Sequence, residues 1–190
     1  MATHPPIFRK TREGVRLEIR SAAVEEAAEM LDFVREAHAT TDQVATQPDE
    51  LPPTPEAEAD FLRGIRDNPA SLLLIGLVEG KIVGGCGFFV GNRRRIAHTG
   101  TLGISIATEW RGRGVGRLLM LAMIDWARAH PTIEKVCLSV FSSNDVGQGL
   151  YRSLGFVDEG VRPGQAKLSG DRYVDEVFMG LWVKPRADAK

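Results

Sequence analysis

The chain has 190 residues, of which 43% are apolar and 26% charged, and its formal net charge is −1. This size and balance predict one globular domain with a core of its own. The near-zero charge argues against nucleic acid as a partner, and the sequence lacks the polybasic tail that an anionic membrane attracts.

Further features narrow the class of protein. The longest apolar runs, near residues 72–78 and 82–90, are too short or too rich in glycine to span a bilayer. The N-terminus carries no signal-peptide apolar region, so a cytoplasmic location is expected. Cys86 and Cys137 are far apart and the four histidines show no metal-ligand spacing. We therefore expect neither a disulfide scaffold nor a bound metal.

The first half of the chain joins a polar start to two helical patterns. Residues 1–16 are predicted to be a loose lead-in. The elements predicted next are a strand over 17–20, a helix over 22–39 with Ser21 as its N-cap, a loop over 40–55 and a helix over 55–67. A loop of this length inside a compact domain is often functional.

The second half is predicted to hold most of the strands. In order they are strands over 71–78 and 81–90 joined at Glu79-Gly80, a strand over 96–108, a helix over 114–130, a strand over 135–141, a helix over 144–154, a short strand from Phe156, a loop over 160–171 and a strand over 172–183. Gly84, Gly85 and Gly87 indicate a bulge or a close backbone approach. The order β-α-α-β-β-β-α-β-α-β-β predicts an α/β domain with a mixed sheet over 17–184, followed by a tail over 185–190.

One stretch between a predicted strand and a predicted helix is rich in glycine and arginine. It reads Arg111-Gly112-Arg113-Gly114-Val115-Gly116-Arg117. The free N–H groups at a helix start, with the positive end of its dipole, favour an anion. Because glycine has no Cβ, an anion can approach this backbone closely. The stretch therefore predicts a cradle for a phosphorylated ligand, although a plain tight turn would have the same glycines.

Two common nucleotide loops do not fit this stretch. A Walker A loop ends in Gly-Lys followed by Ser or Thr, which is absent. The dinucleotide fingerprint G-x-G-x-x-G needs a glycine at position 117, where the chain has arginine. A nucleotide-dependent dehydrogenase is therefore disfavoured. A third pattern, R-x-x-G-x-G, fits from Arg111 to Gly116 at every defined position.

With that pattern the sequence resembles the Gcn5-related N-acetyltransferases. Residues 104–116 are similar to the family's fourth strand, its pyrophosphate loop and the start of its third helix. Downstream, Asn144, Tyr151 and Leu154-Gly155-Phe156 are similar to the family's asparagine–tyrosine helix and the strand after it. The resemblance implies a single-domain fold with a mostly antiparallel central sheet of six to seven strands and about four helices.

The resemblance also implies a co-substrate, acetyl-coenzyme A, and no metal. The pantetheine arm of acetyl-coenzyme A would pair like an extra strand if the fourth strand splays from the fifth. Tyr151 would be the catalytic general acid, protonating the departing thiolate. The residues implied to bind the cofactor are Ile104, Ser105, Ile106, Arg111, Gly112, Arg113, Gly114, Val115, Gly116, Arg117 and Asn144.

Several of these residues also have structural interpretations. Tyr151 could be a core aromatic, and Asn144 could simply cap its helix. The family often has alanine after the asparagine, but this chain has Gly147, and Gly149 follows. Glycine weakens a helix interior. The base that deprotonates the amine is not assigned. The candidates are Glu109, Asp175 and Glu176, with a cap or surface role favoured for Glu109.

The resemblance implies an N-acetyltransferase that moves an acetyl group from acetyl-coenzyme A to an amine by direct attack. Residues 173–181 resemble the branch with ribosomal-protein and polyamine acetyltransferases. The carboxylates of Asp42, Asp49 and Glu50, with those on the last strand, would give an acidic mouth. The acceptor is therefore expected to be a small-molecule amine, a polyamine or a protein N-terminus. The alternative is a non-catalytic domain that binds or senses acyl-coenzyme A, and a homodimer through sheet edges is expected.

Overall fold

The computed structural model describes residues 3–185, which form one eight-stranded sheet and four α-helices. The predicted tail beyond residue 185 lies outside the described residues. The elements are β1 (Ile7–Lys10), β2 (Arg16–Ser21), α1 (Ala27–Ala39), α2 (Pro55–Asp67), β3 (Leu72–Val78), β4 (Lys81–Phe89), β5 (Thr99–Ile106), α3 (Val115–Ala129), β6 (Lys135–Phe141), α4 (Asp145–Ser153), β7 (Val157–Lys167) and β8 (Tyr173–Trp182).

The strands lie in the order β1-β2-β3-β4-β5-β6-β8-β7. β5 and β6 are parallel, and every other neighbouring pair is antiparallel. This arrangement confirms the predicted α/β fold with a mixed, mostly antiparallel sheet. One parallel pair requires a crossover between its strands, and α3 provides it.

The sheet has a separate apolar core on each face, because the side chains of a strand alternate between faces. One core joins α1 and α2 to residues such as Leu73 and Ile75 of β3. The other joins α3 and part of α4 to Leu72 and Leu74 of the same strand. β3 is buried along its whole length, as expected for a strand covered on both sides.

The glycines of β4 explain how closely α3 approaches the sheet. The register with β3 shifts between Gly76 and Leu77, which is a bulge. A Cβ at Gly84 would lie 2.8 Å from Leu119 Cδ1 and 2.9 Å from Ile106 Cδ1. Both predicted alternatives, a bulge and a close approach, are therefore present in this part of the sheet.

Two edge strands extend into segments that the sequence predicted to be irregular. β1 falls within the segment 1–16 and pairs with β2. β7 continues to Lys167, through most of the predicted loop 160–171, and pairs with β8. Both strands are exposed along nearly their whole length, so their sequences lack the alternation that marks a half-buried strand.

The predicted cap of the first helix is wrong. Ser21 ends β2, and its hydroxyl accepts a hydrogen bond from the His4 N–H at 2.7 Å. The chain instead enters α1 through a 3-10 turn at Val24–Glu26. There the Glu26 carboxylate accepts a hydrogen bond from the Ala23 N–H at 2.8 Å. A carboxylate also suits the positive end of the helix dipole.

Candidate active site

A gap opens in the middle of the sheet between β5 and β6. The two strands pair only at residues 99–101 of β5, against Lys135 to Cys137. Beyond this point β5 stays with β4, while β6 stays with β8. Within residues 3–185, no strand pairs with residues 102–106 of β5 on the β6 side. The predicted pairing of pantetheine with Ile104, Ser105 and Ile106 depends on this splay.

The glycine-rich stretch forms the turn from β5 to α3. Gly112 and Gly114 have φ of 75° and 91°, a region that residues with a Cβ rarely occupy. Gly114 accepts the first helical hydrogen bond, from the Leu118 N–H at 3.1 Å. The N–H groups of residues 115–117 precede it and lack an intrahelical acceptor, as at any helix start. The local geometry is therefore that of an anion cradle.

The guanidinium of Arg111 contacts main-chain oxygens. It donates hydrogen bonds to Ile106 O at 3.1 Å, Ala37 O at 2.9 Å and Thr40 O at 3.2 Å, and to the Thr40 hydroxyl at 2.9 Å. These bonds fasten the C-terminal end of α1 to the end of β5. The cationic side chain also suits the negative end of the α1 dipole.

The other two arginines of the cradle have protein partners as well. Arg113 lies 3.0 Å from the Glu13 carboxylate and over the Trp110 ring. Arg117 donates a hydrogen bond to the Ser153 hydroxyl of α4 at 2.8 Å. These contacts brace the cradle through one guanidinium nitrogen of each side chain, and the backbone N–H groups at the start of α3 add further donors for a phosphate.

α4 begins directly after β6, on the far side of the gap. The Asn144 side chain caps it by accepting a hydrogen bond from the Gly147 N–H at 2.9 Å. A Cβ at Gly147 would lie 2.9 Å from three atoms of the Asn144 amide. Glycine at 147 therefore lets this cap fold tightly over the first turn, which gives the residue a packing reason.

Tyr151 lies on α4 with its ring in the core on the α3 face. The residue is 8% exposed, and its ring centroid lies 6.1 Å from that of Phe156. Burial raises the pKa of Tyr151 to about 12, with the buried Cys86 thiol as a second cause. The phenol is therefore protonated at neutral pH, which is the state that a proton donor requires.

With this geometry in place, comparison with known proteins decides the family. The sequence profile of the acetyltransferase (GNAT) family matches residues 31–156. The chain belongs to this family. Its activity is that of an acetyl-coenzyme A-dependent N-acetyltransferase, as predicted, and the acyl-coenzyme A sensing alternative is not favoured.

Individual relatives agree with this assignment. L-amino acid N-acetyltransferase AaaT of Escherichia coli (strain K12) is 30% identical over 115 residues, which are 60% of this chain and 70% of that protein. N-alpha-acetyltransferase RimI of Mycobacterium tuberculosis is 39% identical over 67 residues, which are 35% of this chain and 40% of that protein. The crystal structure of a GNAT-family acetyltransferase from Streptococcus pneumoniae has a TM-score of 0.84 and 30% identity, covering 87% of this chain and 99% of that one.

In this GNAT domain the loop between α1 and α2 bridges to the far side of the gap. Asp42 pairs with Arg172 at the start of β8, with 2.6 Å between Oδ2 and Nη2. Gln43 Oε1 accepts a hydrogen bond from the Ser143 hydroxyl at 3.0 Å. The loop therefore lies across the expected entrance for the acceptor, where Asp42 forms a solvent-exposed ion pair.

The carboxylates predicted as candidate bases are spread over this domain. Glu109 lies in an exposed 3-10 turn at Thr108–Trp110. Asp175 accepts a hydrogen bond from the Gly164 N–H at 2.8 Å, which organises the β7–β8 hairpin. Glu176 lies 3.9 Å from Arg162. The two carboxylates on β8 therefore already have partners.

One contact to the cradle comes from the N-terminal segment, which the sequence predicted to be loose. The Arg12 N–H donates a hydrogen bond to Arg113 O at 3.0 Å, and its guanidinium donates one to Gly112 O at 3.2 Å. The turn between β1 and β2 therefore supports the cradle from outside. Because Arg12 and Gly112 are 100 residues apart in sequence, no local sequence pattern could predict this contact.

Residues 3–185 show neither a metal cluster nor a membrane-spanning helix. They contain no group of three or more His, Cys, Asp or Glu side chains that could hold a metal ion. None of the helices in this range has the length and apolar character needed to cross a bilayer.

Proposed function

We propose that a neutral primary amine attacks the acetyl thioester directly, with the acetyl group held in the gap between β5 and β6. The observation that carries this proposal is the splay of the two strands after residue 101. The free backbone of residues 102–106 pairs with the pantetheine arm, and the cradle N–H groups bind the pyrophosphate. A backbone N–H of β5 polarises the thioester carbonyl.

In this reaction a new N–C bond forms as the C–S bond breaks. The acceptor ammonium first loses one proton to a base, and the resulting amine attacks the carbonyl. A second proton leaves the nitrogen after attack, and the thiol of coenzyme A gains one. We assign to the Tyr151 hydroxyl the role of donor to the departing sulfur, and to Asn144 a contact with the cofactor arm.

We further propose that the acceptor is a small amine of amino-acid type. The family relative AaaT is named as an L-amino acid N-acetyltransferase, and RimI as an N-alpha-acetyltransferase. The loop carboxylate Asp42 is paired with Arg172, and the β8 carboxylates also have partners. An amino acid carries, besides its amine, a carboxylate that can take the place of Asp42 on the Arg172 guanidinium.

A panel of amines tests the proposal. Thiol release from acetyl-coenzyme A would be measured with L-amino acids, polyamines and short peptides at equal concentration. L-amino acids are expected to give the highest kcat/KM. Preference for spermidine or for peptides would overturn the acceptor assignment, and no release with any amine would overturn the catalytic proposal itself.

We also propose a homodimer that forms through the free edge of β7. β7 is the last strand of the sheet, and Val157 and Val161 on it are 59% and 54% exposed. Pairing with a second copy would hydrogen-bond the N–H and C=O groups along the free edge and would cover these side chains. Light scattering after gel filtration should give twice the 20.8 kDa chain mass. Val161→Lys should then shift the protein to the monomer, and a monomeric wild type would contradict the proposal.

A further inference from the structure

His38 lies in the last turn of α1 and is half-buried. Its Nδ1 lies 3.0 Å from Thr46 O, and its Nε2 lies 3.2 Å from the Ser105 Oγ. A carbonyl oxygen can only accept, so Nδ1 carries the ring proton in the neutral form. Nε2 then has its lone pair directed at the Ser105 hydroxyl. The hydrogen bond from Nδ1 to Thr46 O therefore fixes the tautomer of the ring.

Ser105 lies on the part of β5 that faces the gap. Its neighbours Ile104 and Ile106 pack into the core on the α3 face, which also holds Tyr151. Because side chains alternate along a strand, the Ser105 hydroxyl points to the opposite face, where α1 lies. His38 and Tyr151 therefore approach the gap from opposite faces of the sheet.

We propose that His38 is the proton acceptor for the amine, acting through the Ser105 hydroxyl. This inference rests on the proposed function of the same site. The acceptor ammonium gives a proton to Ser105 Oγ while the Ser105 hydroxyl proton moves to His38 Nε2. The neutral amine then attacks the thioester, and the imidazolium releases its proton to solvent after product formation.

The loop between α1 and α2, called the acceptor loop from here on, connects this relay to substrate binding. Thr46, which fixes the His38 tautomer, belongs to the loop that also carries Asp42 and Gln43 across the gap. An acceptor that settles under this loop therefore lies beside the relay. The loop thus provides both the wall of the acceptor site and the partner that sets the state of the base.

The charged groups around His38 come from several elements. Arg111 reaches over from the cradle to Ala37 O and Thr40. From α1 come Arg35, which donates to Pro52 O and Pro53 O, and the exposed Glu36.

The acceptor loop contributes three carboxylates: Asp42, which is paired with Arg172, the exposed Asp49, and Glu50, which accepts a hydrogen bond from the Gln47 N–H. On α2, which packs against α1, Glu58 is buried, and this burial raises its pKa.

The test compares His38→Gln with the wild type across pH 5.5 to 9. With acetyl-coenzyme A and the best amine of the panel, kcat/KM for the amine is expected to fall about 100-fold, a typical worth of general base catalysis. The KM for acetyl-coenzyme A should stay within twofold. The acid limb of the wild-type profile, where imidazolium forms, should be lost in the variant. A purely structural role would not remove that limb.

Three further variants distinguish a catalytic role of His38 from a structural one. His38→Ala should regain activity when imidazole is added, which a folding defect would not allow. His98→Gln is the matched control, since the His98 ring stacks on Trp182 away from the cradle and the acceptor loop, and its profile should match the wild type. In Ser105→Ala a water can replace the hydroxyl between the amine and His38, so kcat/KM for the amine should fall only about 10-fold.

The outcomes separate this proposal from the function on which it rests. If the wild type acetylates an amine and His38→Gln keeps its rate and its acid limb, only the His38 assignment is overturned. If His38→Ala is inactive and imidazole fails to rescue it, the assignment is overturned as well. If the wild type releases no thiol with any amine, the proposed function fails first, and the role of His38 fails with it.

Discussion

At the scale of single residues, the environment of the Tyr151 hydroxyl determines what it can do for the leaving group. Its pKa of about 12 lies well above the pKa of an ordinary thiol, about 8.5. Complete proton transfer from this phenol to a free thiolate would therefore be uphill. In the proposed mechanism the hydroxyl therefore stabilises the sulfur by donating a hydrogen bond as the C–S bond breaks, and the proton that the thiol gains comes from the nitrogen of the attacking amine.

Tyr151→Phe removes this donor while keeping the ring that packs near Phe156. A hydrogen bond to a charged group is worth about 1.5–3 kcal/mol, so kcat should fall about 10- to 100-fold. Calorimetric titration with coenzyme A should give an affinity within twofold of the wild type. An unchanged kcat would remove Tyr151 from the mechanism.

The raised pKa of Tyr151 also predicts the alkaline behaviour of the enzyme. A tyrosine with an ordinary pKa near 10 would lose its proton, and its donor function, as the pH rises through that value. Because burial moves this pKa up to about 12, the neutral phenol persists to higher pH. The kcat at saturating amine should therefore show no tyrosine-dependent fall between pH 8 and 10.5. A fall in the wild type that Tyr151→Phe lacks would contradict this.

At the scale of elements, the turn from β5 into α3 depends on the conformation of one glycine. Gly114 has φ of 91°, and a Cβ there would lie 3.1 Å from Arg12 Cγ. An alanine in a left-handed conformation costs about 1–2 kcal/mol. The loop can relieve this strain only by moving the N–H groups at the start of α3, which are the expected phosphate donors.

Gly114→Ala should therefore weaken coenzyme A binding by about 10-fold, which is about 1.4 kcal/mol. Gly114→Asp adds a negative charge beside the phosphates and should abolish binding. Gly64→Ala in α2 is the matched control, since no atom lies within 4 Å of its added Cβ and alanine favours a helix. Calorimetric titration and thermal melts would be compared for all three. Normal coenzyme A binding by Gly114→Asp would show that the cradle does not hold the phosphates.

The elements that the sequence predicted well are those whose signals are local. The turn after β5 has its glycines at the positions that need φ above zero, and α3 follows with regular helical spacing. β1 and the continuation of β7 beyond its predicted short start were missed, because an edge strand exposed on both faces has no alternation. The contacts of Arg111 were missed because Ala37 lies 74 residues away, and only the folded chain brings them together.

At the scale of the whole molecule, the two proposed catalytic groups lie on opposite faces of the sheet. α3 and α4 lie on one face with Tyr151, and α1 lies on the other with His38. Arg111 joins the two sides, since its side chain leaves the cradle and ends on the carbonyls of α1. Loosening this link should therefore disturb the acceptor side as well as the cofactor side.

Arg111→Lys tests this link, because one ammonium group cannot reach all the carbonyls that the planar guanidinium spans. Losing about 1 kcal/mol of hydrogen bonding would lower the thermal midpoint by about 2–4 °C. The KM for both substrates should rise, since α1 and the cradle lose their common support. Arg128→Lys is the matched control, because Arg128 pairs only locally with the exposed Asp125 on α3. If Arg111→Lys melts and binds like Arg128→Lys, the two sides are held together by the sheet alone.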